Sequence, residues 1–199
     1  MDTVLQDSPQ AIPQAVTELR DDHVIAVPTE TVYGLMARWQ SVAARQEIYR
    51  LKHRPADKRL QMLAPDVETA IRAGLKPNAM LEKIANVFWP GPLTVIVEAV
   101  DGDTIGLRIP NHPFVLKLLR ELGEPLAATS ANLSGTPAAV TADDAIANLD
   151  GRPALLIDGG KVTVTGGASS TVVSIVGGNT AILRQGPVSL DDIQAVLNS

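Results

Sequence analysis

The chain has 199 residues, 45% of them hydrophobic, and a formal charge of −5 at pH 7. This length suits one well-packed domain, and the acidic total argues against a surface that binds nucleic acid broadly, because such binding depends on neutralising phosphates. The sequence contains no cysteine, which excludes disulfides and thiolate chemistry, and its three histidines form no metal-ligand motif. We therefore predict a single domain over residues 1–199, with a core from about 8 to 198.

The N-terminus predicts neither export nor membrane insertion. Its first ten residues, MDTVLQDSPQ, lack the basic and then apolar pattern of a signal peptide. No apolar run approaches the ~20 residues of a membrane span. We expect a cytoplasmic protein with no membrane partner.

The first half of the chain alternates predicted helices and strands. Helix-start residues, or apolar residues spaced i, i+3, i+4 and i+7, predict helices at 11–19, 41–51, 66–74 and 81–88. Short apolar runs predict buried strands at 23–28 and 60–64.

The second half mixes hairpins with further helices. Strands are predicted at 93–99, 104–110, 125–135, 153–160, 169–176 and 180–186, and helices at 115–122 and after Thr141 and Ser189. Short turns join two pairs of these strands into antiparallel hairpins, across 101–103 and across 177–179. Because buried parallel-type runs and hairpins occur together, we predict an α/β fold with a twisted, mixed parallel and antiparallel sheet covered by helices.

Hydroxyl-rich segments follow two of the predicted buried strands. Residues 29–34, TETVYG, follow the strand at 23–28, and residues 130–134, SANLS, lie where the strand at 125–135 turns polar. Polar groups at adjoining strand ends would line a pocket above an apolar sheet. The alternatives are a helix N-cap made by a threonine in the first segment and a loop-closing Asx or serine turn in the second.

Cations concentrate in residues 51–58, LKHRPADK, although the chain is acidic overall. Pro55 disfavours helical torsion angles at Arg54, so the preceding helix ends here and its cations fan outward. Lys52, a point charge, and Arg54, a planar fork, would together bind a polyphosphate. The alternative is a solvated helix end whose cations complement the macrodipole.

Arg108 lies among apolar residues of the strand predicted at 104–110. A buried guanidinium needs an anion, which is either a ligand or a structural Asp or Glu. The glycine motifs of common nucleotide sites are missing from the sequence, so a nucleotide would be bound by scattered cations and hydroxyls. Catalysis would then depend on positioning and charge neutralisation.

Seven ordered motifs resemble those of the YrdC/TsaC family, the L-threonylcarbamoyladenylate synthases. They run from about Val24 to Val188 and read VPTETVYGL, LKHRPADK, FWPGPLTVI, GLRIPNHP, TSANLSGTP, SSTVV and ILRQGPV. The resemblance implies a YrdC-like fold with a basic concave cleft, in the short single-domain form.

The resemblance also implies a reaction. Threonine takes up bicarbonate-derived CO2, and the resulting carbamate attacks the α-phosphate of ATP to give threonylcarbamoyl-AMP and pyrophosphate. Mg²⁺ would accompany ATP. A separate transferase complex would use the product to modify the adenosine beside the anticodon of tRNA.

The same resemblance assigns site residues position by position. The K-x-R and S-x-N signatures, which form the catalytic core, fall on Lys52, Arg54, Ser130 and Asn132. The residues implied to contact threonine are Thr31, Arg108, Ser130 and Ser170. Those implied to contact ATP are Lys52, Arg54, Lys58, Thr104, Asn132, the backbone near Val140, and Arg184. No protein side chain is expected to bind a metal.

The chain departs from the family pattern at two places. Residues 57–60 read DKRL where the family usually has N/D-K-P-L, so Arg59 replaces a proline, which predicts a looser loop exit and altered substrate affinity. Residues 168–171 read ASST where the family commonly has a glutamate before S-T, so Ala168 removes a carboxylate near the implied threonine site.

Two other functions remain open from the sequence. A non-catalytic double-stranded RNA or tRNA-binding module would use the cations around residues 45–59 and would bind RNA with a steep salt dependence. A paralogue with a different carbamoyl acceptor would keep the K-x-R and S-x-N pairs, since these concern the nucleotide rather than the amino acid.

Overall fold

The computed structural model describes residues 1–147, 149–163 and 169–198. The helices in these ranges are α1 (Ala11–Arg20), α2 (Val42–Lys52), α3 (Val67–Arg72), α4 (Ala79–Phe88), α5 (Pro113–Leu122), α6 (Ala142–Ala147) and α7 (Leu190–Asn198). The strands are β1 (Asp2–Leu5), β2 (Ile25–Pro28), β3 (Tyr33–Arg38), β4 (Gln61–Leu63), β5 (Leu93–Glu98), β6 (Thr104–Arg108), β7 (Leu126–Ser130), β8 (Leu155–Asp158), β9 (Thr171–Ser174) and β10 (Ala181–Arg184). The described helices run to eleven residues at most, too short to cross a bilayer.

All ten described strands join one mixed sheet in the order β1-β8-β2-β3-β7-β4-β6-β5-β9-β10. The pairs β1–β8, β2–β8, β4–β6 and β5–β9 are parallel, and the others are antiparallel. The two predicted hairpins are present as β5–β6 and β9–β10. The prediction of a mixed α/β sheet covered by helices is therefore confirmed.

Helices cover one face of the sheet along its length and the other face only in part. On the first face, α2 and α6 pack over β2, β3 and β8, and α3, α4 and α7 pack over β4, β5, β6 and β9. On the second face, α1 and α5 pack over β2, β3, β4, β7 and β8. Among the described residues, the apolar side chains packed beneath α1 and α5 reach no further across the sheet than Leu63 of β4. The second face of β5, β6, β9 and β10 is therefore open.

Along β5 and β6, side chains alternate between the helix-covered face and the open face of the sheet. Leu93, Val95 and Val97 of β5 are fully buried beneath α3, α4 and α7. Thr94 points the other way, toward the open side, as does Arg108 of β6. Because side chains alternate along a strand, a polar residue between apolar ones places a polar group on the open side without disturbing the core.

Two strands, β1 and β3, were not predicted. β3 is buried on both faces between β2 and β7, so it shows no apolar and polar alternation. The helix N-cap proposed for residues 29–34 is wrong, because the chain turns directly from β2 into β3. Thr29 closes this turn, with its Oγ1 donating to the Val32 carbonyl at 2.7 Å. β1 is a largely exposed edge strand that precedes the predicted core start near residue 8.

Candidate functional site

A cavity of about 280 Å³, the central cavity, occupies the open side of the sheet. Its volume is near the lower end of the roughly 300–1,000 Å³ that small-molecule sites occupy. Its lining consists of Thr31, Val32, Arg54, Arg59, Leu60, Gln61, Thr94, Ile96, Thr104, Gly106, Arg108, Ala128, Thr129, Ser130, Ser169, Ser170, Val172 and Arg184. Among these described residues four are arginines and none is acidic, which favours an anionic ligand.

The cavity brings together most of the residues implied by the family motifs. Those that line it are Thr31, Arg54, Thr104, Arg108, Ser130, Ser170 and Arg184. The two hydroxyl-rich strand ends do adjoin, since Gly34 at the start of β3 pairs with Ser130 at the end of β7. The predicted polar pocket over an apolar sheet is therefore present.

Arg108 is buried, and its anion is a carboxylate of the protein. Its Nη2 donates to Glu30 Oε1 at 2.5 Å, and its Nε donates to the Gly91 carbonyl at 3.2 Å. Its Nη1 lies 3.4 Å from Thr31 Oγ1, at the cavity wall. The structural alternative and the ligand-contact prediction are thus compatible, because Glu30 holds one side of the guanidinium and the other faces the cavity.

Arg184 and Ser170 form a second fixed polar group. Arg184 donates from Nε and Nη2 to the Ser170 carbonyl, at 3.1 and 2.9 Å, while Ser170 Oγ lies 3.0 Å from Thr94 Oγ1. Burial lowers the pKa of the Arg184 guanidinium, and the nearby charge of Arg108 lowers it further. An anion in the cavity would stabilise these two like charges.

Arg54 enters the cavity from the loop that follows α2. Its Nε and Nη2 donate to the carbonyls of Lys58 and Arg59, at 2.8 and 2.7 Å, which fixes the loop around the guanidinium. Its Nη1 donates to Thr129 Oγ1 at 3.2 Å. Burial lowers the pKa of Arg54, because the guanidinium is partly desolvated where it lines the cavity.

Lys52 does not line the cavity but lies beneath its wall. The side chain is 1% exposed, and its Nζ donates to the Ser130 carbonyl at 2.5 Å and to the Asn132 carbonyl. Asn132 Nδ2 in turn donates to the carbonyls of Leu133 and Thr136, at 2.7 and 2.8 Å. Lys52 and Asn132 therefore hold the loop after β7 in place. For Asn132 this agrees with the alternative in which the polar residues at 130–134 close a loop.

The remaining predicted contacts lie away from the cavity lining. Lys58 is exposed, and its carbonyl accepts bonds from Arg54 Nε and from the Tyr49 hydroxyl. The Val140 carbonyl accepts a bond from the Val162 amide at 2.8 Å. The departure at Ala168 lies outside the described residues, as does most of the glycine-rich segment between β8 and β9.

Sequence reasoning missed several residues that build the site. Glu30, the partner of Arg108, lies within the hydroxyl-rich residues 29–34, and nothing in that motif indicated its role. Thr94 and Gln61 lie on the cavity floor and hydrogen-bond each other at 3.0 Å. A polar residue at alternate positions of an otherwise apolar strand is the signal that would have found Thr94.

Gly186 lets the chain after β10 cross the backbone that carries Ser170. A Cβ at this position would lie 2.6 Å from the Ser169 carbonyl oxygen and 2.7 Å from the Ser170 carbonyl carbon, and would also meet the Thr171 nitrogen. All three contacts are backbone atoms, so a substitution must displace the segment.

We expect Gly186→Ala to destabilise the fold by about 1–3 kcal/mol through overpacking. Denaturant unfolding measures this loss. The control is Gly178→Ala, which strains a backbone with φ +77° but meets nothing within 4 Å. A loss of stability in Gly186→Ala no larger than that in Gly178→Ala would contradict the role given to Gly186.

Comparison with known proteins identifies the family. The Sua5/YciO/YrdC family model, described as "Telomere recombination", matches residues 17–186. The threonylcarbamoyl-AMP synthase of Bacillus subtilis (strain 168) is 36% identical over 98% of this chain and 59% of its own length. A putative threonylcarbamoyl-AMP synthase of Mycobacterium tuberculosis is 34% identical over 94% of this chain and 89% of its own length.

Solved structures agree with this assignment. The structure of Pyrococcus abyssi Sua5 complexed with L-threonine superposes with a TM-score of 0.88 and 32% identity, covering 98% of this chain and 60% of that one. E. coli YciO, at 23% identity, shares the fold with a TM-score of 0.82 and covers 96% of this chain and 98% of its own. The chain spans little more than half the length of the B. subtilis synthase and of P. abyssi Sua5. The matched family model and these relatives show that the chain belongs to the Sua5/YciO/YrdC family.

Proposed function

We propose that this chain is an L-threonylcarbamoyladenylate synthase, a nucleotidyltransferase that makes threonylcarbamoyl-AMP and pyrophosphate from L-threonine, bicarbonate-derived CO2 and ATP. The observation that carries the proposal is the central cavity. It gathers four arginines and several hydroxyls, without a carboxylate among its described lining, in a chain whose relatives are named threonylcarbamoyl-AMP synthase. Such a lining suits a carboxylate, a carbamate and phosphates together.

The threonine end of the site is the wall formed by Thr31, Arg108 and Ser170. The free side of the Arg108 guanidinium binds the substrate carboxylate, and the two hydroxyls orient the amino group and the carbamate formed on it. Support comes from the Glu30 contact, which fixes the guanidinium before any ligand arrives. P. abyssi Sua5, a relative with the same fold, was solved with L-threonine bound.

The nucleotide end is bounded by Arg54, Arg184 and Ser130. The carbamate oxygen attacks the α-phosphorus of ATP, the bond to the β-phosphate bridging oxygen breaks, and pyrophosphate leaves with the electron pair. Arg54 and Arg184 neutralise the charge that develops on the phosphates. Lys52 and Asn132 act by holding the loop that presents Ser130, and Lys58, Thr104 and the backbone near Val140 complete the nucleotide contacts.

Mg²⁺ enters as part of the Mg·ATP substrate. Within the described ranges, no three His, Asp or Glu side chains group closely enough to hold a metal, and the cavity offers arginines and hydroxyls. Phosphate oxygens and water are the ligands that Mg²⁺ prefers in such sites. The ion would therefore be bound by the nucleotide rather than by the protein.

The proposal includes the setting of the reaction. The product is a mixed anhydride that water hydrolyses, so it passes to a separate cytoplasmic transferase complex that modifies the adenosine beside the anticodon of tRNA. Weak direct contact with tRNA is part of the proposal, through the exposed cations of the loop after α2.

The test is pyrophosphate release from ATP and bicarbonate with threonine present, absent or replaced by serine. We expect threonine-dependent release with threonylcarbamoyl-AMP seen by mass spectrometry, and a loss of about 100-fold or more in Arg54→Ala. Arg120→Ala, at an exposed arginine on α5, is the control. Release with another acceptor would establish the paralogue. RNA binding without release would establish the RNA module.

A further inference from the structure

Arg59, where the family pattern has proline, lies at the rim of the central cavity. Its side chain is 56% exposed, and its Nη1 donates to Asp103 Oδ1 in the turn between β5 and β6. The same nitrogen lies 3.1 Å from the Thr104 carbonyl oxygen and 3.4 Å from its hydroxyl. Both Arg59 and Thr104 line the cavity, so the guanidinium bridges the loop after α2 to the opposite rim. The side chain that replaces the proline thus contacts the turn between β5 and β6, and the looser loop exit expected from the sequence stays a prediction.

Arg59 also lies next to the nucleotide end of the site. Its carbonyl accepts the bond from Arg54 Nη2 at 2.7 Å, so the two arginines share one short loop. Arg54 points inward to Thr129, whereas Arg59 points along the rim to Thr104. A phosphate chain that begins at Arg54 and runs outward would reach Arg59 next.

Asp103 is a weak competitor for this guanidinium. Its side chain is 54% exposed, so water and salt screen the ion pair. A triphosphate carries more charge and offers several oxygens in the geometry that a guanidinium fork fits. Asp103 Oδ1 also accepts the Thr104 amide at 2.8 Å, so the carboxylate keeps a hydrogen bond when Arg59 leaves it.

We propose that Arg59 binds the β- and γ-phosphates of the nucleotide, and that Asp103 holds its guanidinium at the rim until those phosphates displace it. The inference rests on the proposed function, because it requires a nucleotide in the central cavity. Asp103 then opposes nucleotide binding while Arg59 promotes it. The effect depends on the number of phosphates, since AMP does not extend to the rim.

The test is calorimetric titration of a non-hydrolysable ATP analogue, and of AMP, into the whole protein and its variants. We expect Arg59→Ala to raise the Kd of the analogue about three- to tenfold and Asp103→Asn to lower it about two- to threefold, with AMP changed by neither. Arg59→Lys keeps the charge but lacks the planar guanidinium, so its Kd for the analogue should lie between those of Arg59→Ala and the parent protein. The differences should shrink at high salt.

The matched control is the exposed pair of Arg72 and Glu68 on α3, 2.8 Å apart, where Arg72→Ala and Glu68→Gln should leave both Kd values unchanged. An unchanged or raised Kd in Asp103→Asn would overturn the proposal and leave Arg59 as a structural tie. An equal effect on AMP would overturn the assignment to the outer phosphates. If the parent protein binds no nucleotide, the proposed function fails together with this inference, whereas binding without these differences overturns the inference alone.

Discussion

Lys52→Met is expected to lower turnover by about 100-fold or more while the protein stays folded, because the loop that presents Ser130 is no longer held in place. Methionine fills the space of the lysine stem but donates no hydrogen bond, so the Ser130 and Asn132 carbonyls lose their donor. Two unpaired buried carbonyls are costly, but the cost of burying an ammonium disappears as well, so we expect the free energy of unfolding to change by less than about 2 kcal/mol. Pyrophosphate release and denaturant unfolding measure the two quantities.

The control for this variant is Lys117→Met, at an exposed lysine on α5, which should change neither quantity. Turnover within a few-fold of the parent in Lys52→Met would show that the loop after β7 keeps its shape without the ammonium. Unfolding of the variant would instead assign Lys52 to the stability of the fold.

The same lysine gives the parent protein a pH-dependent stability that checks its burial. Burial lowers the pKa of Lys52 from 10.5 to about 8, and the charge of Arg54 acts in the same direction. Between these values the unfolded chain still holds the proton that the folded protein has lost, so the contribution of Lys52 to the free energy of unfolding rises with pH. The free-energy cost of burying the charged lysine is therefore fully present below about pH 8 and is gone above about pH 10.5. The difference between the parent and Lys52→Met profiles isolates this contribution.

Glu30→Ala is expected to destabilise the fold by about 3–5 kcal/mol, because it leaves a buried guanidinium without its carboxylate. The Arg108 side chain is 4% exposed, and Glu30 Oε1 accepts both its Nη2 and the Asn111 amide, the latter at 2.8 Å. Denaturant unfolding measures the loss. Threonine-dependent turnover should fall with it, since Arg108 is no longer held at the cavity wall.

Glu30→Gln separates the charge from the hydrogen bonds, since its amide oxygen can still accept from Arg108 and Asn111. We expect an intermediate loss of stability in this variant, and none in Glu121→Ala at an exposed site on α5. A change below about 1 kcal/mol in Glu30→Ala would mean that water replaces the carboxylate, so that Arg108 is effectively solvated.

Much of the fold was readable from local sequence, because caps, turns and periodicity are local properties. Thr141 and Ser189 cap their helices through side-chain bonds to backbone amides, as their spacing predicts, and Asp66 does the same for α3. The β5–β6 hairpin follows from its turn at 101–103. β3 was missed for the opposite reason, since its burial on both faces is decided by β2 and β7 rather than by its own residues.

The sequence predicted part of the cavity lining but not the contacts between its residues. Motifs gave seven of the residues that line the cavity, yet motifs say nothing about pairing across the sheet. Glu30 and Arg108 are 78 positions apart, and so are Lys52 and Ser130. The order of the strands in the sheet brings these partners together. This explains why Lys52, which was expected to contact ATP, instead donates to two backbone carbonyls. It also explains why the sequence did not reveal Glu30 as the partner of Arg108.

The cavity depends on a pairing between distant parts of the chain. β5 lies beside β9, with Leu93 opposite Thr171, and this parallel pair brings Ser170 and Arg184 to the wall that faces Arg108. Parallel pairing over such a separation is slow to form, because loop-closure entropy is lost before any contact compensates for it. A folding intermediate that lacks β9 would hold the motifs around Thr31 and Arg54 but no binding site. The onset of ligand binding during refolding would therefore report the pairing of β9 with β5.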